Sequence, residues 1–138
     1  MSTSSKLKQQ FVRPAVVGLV SGAIASASGT DFDAAVFGAE IPKWAFYGLL
    51  GFGSSLVSES LHQWILPMLP QSQQAVTAEN ALLSPVLHAG VNLAALSIVY
   101  PTAIKVDGWM VPVGIGIGAE VVGDYSFNSF IKDMPWMQ

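Results

Sequence analysis

The sequence predicts an all-α fold, a four-helix transmembrane bundle built as one integral membrane domain over residues 1–138. Four observations predict it. Hydrophobic residues make up 51% of the chain and charged residues only 11%, where an average globular protein carries roughly 25% charged. Mean hydropathy is +0.50, and a domain this small has much surface for its few polar groups to cover. Four apolar stretches, at about 11–29, 44–66, 81–104 and 109–131, each approach the roughly 20 residues that cross a hydrocarbon core as a helix. Within each stretch, small and polar residues recur every three or four positions, the spacing of a single helix face.

The first span runs from Phe11 to Gly29 and carries Gly18, Gly22, Ser26 and Gly29 along one line. The preceding "MSTSSKLKQQFVRP" resembles the charged region of a signal peptide. The apolar run after it is long and glycine-rich and further spans follow, so it is expected to stay as a short tail. A polar connection, Thr30 to Lys43, leads to the second span, whose line is Gly48, Gly51, Ser55, Glu59 and His62. Pro67 and Pro70 end that helix, because proline lacks an amide donor and disfavours helix in the residue before it. A loop through Gln71–Asn80 precedes the third span, which carries Ser84, His88, Asn92 and Ala95. A short "KVDG" turn joins it to the fourth, with Gly116, Glu120, Asp124 and Phe127, and Gly114 and Gly118 beside them.

Trp44, Trp64, Trp109 and Trp136 fall near span ends, where amphipathic rings settle at a membrane interface. Lys6, Lys8, Arg13 and Lys132 gather on the side of the N-terminus, with Lys43 and Lys105 opposite. This weak excess places both termini on the same, cytosol-like side. There is also an internal echo. Gly51-x-Gly53 precedes Glu59 as Gly116-x-Gly118 precedes Asp124; Ile41-Pro42 and Val111-Pro112 come before them, and Pro14 and Pro85 open the preceding spans. The echo raises the expectation of two related helical hairpins.

The inward stripes have a physical reason. Lipid tails are as apolar as leucine, so helices associate in a bilayer through close approach at small residues and through interhelical hydrogen bonds. Gly18, Gly22, Gly48, Gly51, Gly116 and Gly118 are therefore the candidate packing residues. Charge at lipid-exposed depth is costly, so Glu59, His62, His88, Asn92, Glu120 and Asp124 are expected in a buried polar network.

Several chemistries are set aside. Glu59-x-x-His62 has the spacing of di-iron bundles, but those need a second Glu-x-x-His and further glutamates, and the chain has no second copy. Zero cysteines exclude thiolate sites and disulfides. "GIGIGAEVVGD" sits in a helical context rather than after a strand, so it lacks the setting of a dinucleotide fingerprint. No Gly-x-Ser-x-Gly elbow is present, and a net charge of −3 gives no nucleic-acid footprint. No catalytic residue, cofactor, metal or small-molecule substrate is expected.

The stretches "EIPKWAFYGLLGFGSSLVSESLHQWILPMLP", "AENALLSPVLHAG" and "GIGIGAEVVGDY" resemble small glycine-rich membrane proteins of large icosahedral double-stranded DNA viruses, especially those of algae. The resemblance covers most of the chain beyond residue 40. It implies a virion component of the internal membrane beneath the capsid, anchoring the shell to lipid, and supplies no catalytic residues. The expected function is thus non-enzymatic assembly in a membrane, with lipid, further copies or capsid proteins as partners. The alternative is a small transporter, channel or translocase-like subunit, which would need a continuous polar path through His88, Asn92, Glu120 and Asp124.

Overall fold

The computed structural model describes residues 3–29, 31–61 and 73–137. It is mostly helical, with α1 at Thr3–Ser26, α2 at Lys43–Ser60, α3 at Gln73–Val99, α4 at Pro101–Asp107 and α5 at Met110–Ser126. A π-helical turn, Phe127–Ile131, extends α5, and a 3-10 turn at Pro135–Met137 packs back against α1. The four long helices form a ring in which neighbours run antiparallel: α1 beside α2, α2 beside α3, α3 beside α5, and α5 beside α1.

Four features depart from the expected spans, the first being that α1 begins at Thr3, inside the segment expected as a short tail. Residues 31–42 are not a simple loop: β1 at Asp33–Val36 pairs antiparallel with β2 at Ala39–Pro42, with Val36 opposite Ala39. The two-residue turn between them places Phe37 at φ 50 and Gly38 at φ 83. Two positive φ values match the right-handed twist of the flanking strands. The third span is helical from Gln73, inside the anticipated loop, and breaks at Tyr100. Its last part, α4, bends away from the α3 segment by 113°. The cause is Pro101, which disfavours helix at Tyr100 and is itself well suited to open α4. Finally, among the described residues no single helix is long and apolar enough to cross a membrane; the bent pair Ser84–Val99 with Pro101–Asp107 passes that test jointly. Trp64, Pro67 and Pro70 lie outside the described residues.

At the end of the bundle bearing the β-hairpin, the core is aromatic. Phe32 stacks on Tyr100 with ring centroids 4.7 Å apart and meets Phe46 and Tyr47 edge-on. Ala25, Ala34, Leu96, Ala103 and Ile115 complete the cluster. Lys43 is buried there; its ammonium donates to the Ser28 carbonyl and sits 5.8 Å from the Phe32 ring centre.

The hairpin turn yields a clean test of backbone strain. A Cβ added to Gly38 would have nothing within 4 Å, so Gly38→Val should cost about 1–2 kcal/mol through conformation alone. Phe37 is fully exposed, so Phe37→Asn loses no packing and should shift stability the other way, asparagine tolerating this conformation better. Thermal unfolding of both variants measures the pair of opposite signs; a shared sign contradicts the turn geometry.

Burial recurs along the two helix pairs. In α1, Val17, Gly18, Ser21 and Ala25 are buried; at the same spacing in α3, so are His88, Ala89, Asn92 and Leu96. In α2 the buried run Gly51, Ser54, Ser55 and Ser58 corresponds to Gly116, Ala119, Glu120 and Gly123 in α5. The hydrogen bonds correspond too: Ser21 Oγ donates to the Tyr47 carbonyl at 2.9 Å, and Asn92 Nδ2 to the Pro112 carbonyl at 3.1 Å. Pro42 and Pro112 do not correspond, since Pro42 precedes α2 whereas Pro112 lies inside α5.

Candidate functional site

The close approaches between helices sit at particular glycines. A Cβ on Gly116 would lie 2.8 Å from Ala89 N and 2.9 Å from its Cα. On Gly51 it would meet Ser21 Cβ at 2.9 Å and Gly18 Cα at 3.2 Å, and on Gly22 the Trp44 carbonyl oxygen at 2.8 Å. Gly18 would strike the Gly48 carbonyl oxygen at 2.8 Å, while the reverse contact from Gly48 is a looser 3.4 Å. Gly118 differs from the expectation: its nearest neighbour would be an Ile24 methyl at 3.6 Å, ordinary contact. Gly123, which sequence spacing did not single out, would meet Val17 Cγ2 at 2.7 Å.

This close packing encloses polar side chains in layers. Nearest the end where α1 begins, Gln10 Nε2 donates to Ser60 Oγ at 2.8 Å. Beside it Arg13 reaches from α1 to three elements. Its Nε lies 3.7 Å from Glu59 Oε2, its Nη1 lies 3.6 Å from Asp124 Oδ1, and its Nη2 donates to Asn128 Oδ1 at 3.2 Å. The guanidinium carbon also stands 4.8 Å from the Phe127 ring centre. Glu59 is buried, whereas the Asp124 side chain is 36% exposed and so sits at the mouth of the network. Ser58 and Ser84 hydroxyls pair across α2 and α3 at this end.

One turn deeper along α5, Glu120 Oε1 meets His88 Nδ1 at 3.1 Å, both side chains closed to solvent. The imidazole edge faces Gly51, whose Cβ position lies 3.2 Å from His88 Cε1. A side chain at residue 51 would occupy the space the ring needs. Asn92, one turn beyond His88, is also fully buried. Among the described residues, three buried polar side-chain atoms have no hydrogen-bond partner: Arg13 Nε, His88 Nε2 and Asn92 Oδ1. Past Asn92 the interior becomes the Leu96, Phe46, Tyr47 and Phe32 cluster.

The structure thus brings His88 and Glu120 together, holds Glu59 and Asp124 on the same arginine, and sets Asn92 in the adjoining layer. His62 lies outside the described residues, so the Glu59-x-x-His62 pairing is not described. Among the described residues no three potential ligands are grouped to hold a metal ion. Sequence reasoning placed Arg13 only as a charge near the N-terminus; its position inside the first apolar span was the available signal. On the outer surface, α1 and α2 form an open apolar trough of about 640 Å³ over Gly18, Gly22 and Gly48, edged by Leu19, Trp44 and Phe52.

No family model, curated protein or solved structure matches the chain.

Proposed function

We propose that the chain is a membrane-embedded structural protein that acts by assembly rather than by catalysis. The observation that carries this reading is a polar layer inside the bundle beneath a largely apolar exterior. Between the apolar cluster at the hairpin end and Phe127 at the other, the interior holds Ser21, Ser54, Ser55, Glu59, His88, Asn92 and Glu120, while many large apolar side chains point outward. Ile98 is 82% and Leu19 77% exposed, and Leu49, Val86 and Val121 accompany them. In water this arrangement wastes the hydrophobic effect; in lipid it removes polar groups from hydrocarbon and offers the tails an apolar wall.

The layered network favours assembly over conduction. It opens at Asp124 and ends against the aromatic cluster, so the described polar residues form a blind arm and not a path from end to end. The two helix pairs, α1 with α2 and α3 with α5, read as related hairpins within a four-helix transmembrane bundle. Phe37 at the hairpin tip and Trp109 at the same end give an exposed aromatic surface for a partner. Following the resemblance of the sequence to viral membrane proteins, the proposed partner is a capsid protein and the proposed location a virion internal membrane.

Alkaline carbonate extraction tests the core of this reading. The full chain, expressed in cells, should stay with the membrane pellet after carbonate and dissolve only in detergent. Release into the carbonate supernatant overturns membrane embedding. Cofractionation with capsid shells, against cellular membranes, then decides the viral placement.

A further inference from the structure

We propose that His88 and Glu120 form a proton-binding site inside the bundle, loaded from the end where Asp124 and Arg13 lie. Unprotonated, the neutral imidazole and the carboxylate carry one net negative charge. Uptake of one proton at Nε2, with the Nδ1–H donation to Oε1 kept, makes the pair neutral overall; its release restores the charge. No other bond changes, and the proton comes from and returns to water.

The correspondence between the helix pairs supplies an internal control. The positions matching His88 and Glu120 are Val17 and Ser55, both buried. A valine and a hydroxyl therefore satisfy the packing of this architecture at the same depth. An acid–imidazole pair closed to solvent is costly to bury relative to such groups, so its presence in one pair of helices alone points to chemistry beyond packing.

Two unpartnered atoms mark the site independently. With Nδ1–H donated to Glu120, His88 Nε2 is a bare acceptor, and it has no partner; nor has Asn92 Oδ1, one turn along the same face. Both side chains are fully buried. When the imidazole is protonated at both nitrogens, Nε2 becomes a donor with an unused acceptor in the next turn. Ser21, the counterpart of Asn92, has no second polar atom to offer.

The route is set by the charged neighbours. Arg13 from α1, Glu59 from α2 and Asp124 from α5 form the layer above the pair. Asp124 follows Glu120 by one turn and is open to solvent, which makes it the entry group. The aromatic cluster closes the opposite direction.

The test uses the full chain in detergent micelles with isotopically labelled imidazoles, His62 being assigned by a His62→Gln variant. A pH titration should move the His88 nitrogen signals through a single protonation step, and Glu120→Gln, which keeps the shape, should change the apparent proton affinity by about tenfold or more. Asp124→Asn should slow proton exchange at His88. The double variant His88→Val with Glu120→Ser, copying the matching positions, should retain helix content and melting behaviour. A His88 signal that keeps one protonation state throughout, or titrates unchanged in Glu120→Gln, overturns the site. Collapse of the double variant overturns it as well, by making the pair a structural clamp.

Discussion

Gly116→Leu should prevent the bundle from closing, with Gly51→Leu close behind, while leucine at Gly53 or Gly114 should leave it intact. The distinction is steric. At Gly116 a Cβ alone would come within 2.8–3.0 Å of Ala89 N, Ala89 Cα and His88 C, and backbone cannot turn aside as a side chain can. Even Gly116→Ala should therefore cost about 2–3 kcal/mol, at the upper part of the range for overpacked sites. At Gly51 two of the three close atoms belong to the Ser21 and His88 side chains, so some relief is available and the loss is smaller for alanine. Gly53 and Gly114 face open space, and replacing a mid-helix glycine there removes a backbone-entropy penalty of roughly 1 kcal/mol. Melting of the four leucine variants in detergent, with size-exclusion profiles, separates the pairs. Equal stability of all four would mean that the helices do not meet at these seams.

Arg13→Leu is the second large effect, expected to lower stability by about 2–3 kcal/mol. The substitution withdraws the cation from between buried Glu59 and half-exposed Asp124, and lifts the guanidinium from the Phe127 ring. Separations of 3.6–3.7 Å and partial exposure of Asp124 keep the figure below that of a fully enclosed pair, since solvent screens the outer half. Arg13→Lys should recover part of the loss, retaining charge but not the fork that spans α2 and α5. Adding Glu59→Gln to Arg13→Leu should restore stability relative to Arg13→Leu alone, because an uncompensated buried charge is removed. Unfolding midpoints of the three variants would contradict the keystone role if Arg13→Leu melted with the parent chain.

Much of the helical organisation was legible because packing at small residues leaves a periodic trace. Gly18 with Gly22, and Gly48 with Gly51, follow the four- and three-residue steps that keep a line on one face. The same rule explains Gly118. Residues two apart point to different sides of a helix, so only one glycine of each Gly-x-Gly can lie in the seam, and Gly51 and Gly116 take it. The hairpin was hidden because its turn uses Phe37, not the asparagine or glycine that announces a two-positive-φ turn. The break at Tyr100 had a local signal, the following proline, masked by continuous hydropathy on both sides. The contact of His88 with Glu120 spans 32 residues: spacing put each on an inward line, but only the ring order of helices brings α3 beside α5.

The two charged layers also set a length. Lys43 and Glu59, buried at opposite ends of α2, are sixteen residues apart, about 24 Å at the α-helical rise. A typical hydrocarbon core is about 30 Å thick. For a protein embedded as proposed, this hydrophobic mismatch favours thin bilayers, or draws a thicker one inward around it. Because α4 lies bent across the end of α3 instead of prolonging it, the chain does not make up the shortfall. A cluster of such molecules would then gather in, and help to shape, the thinner patches of the membrane that holds them.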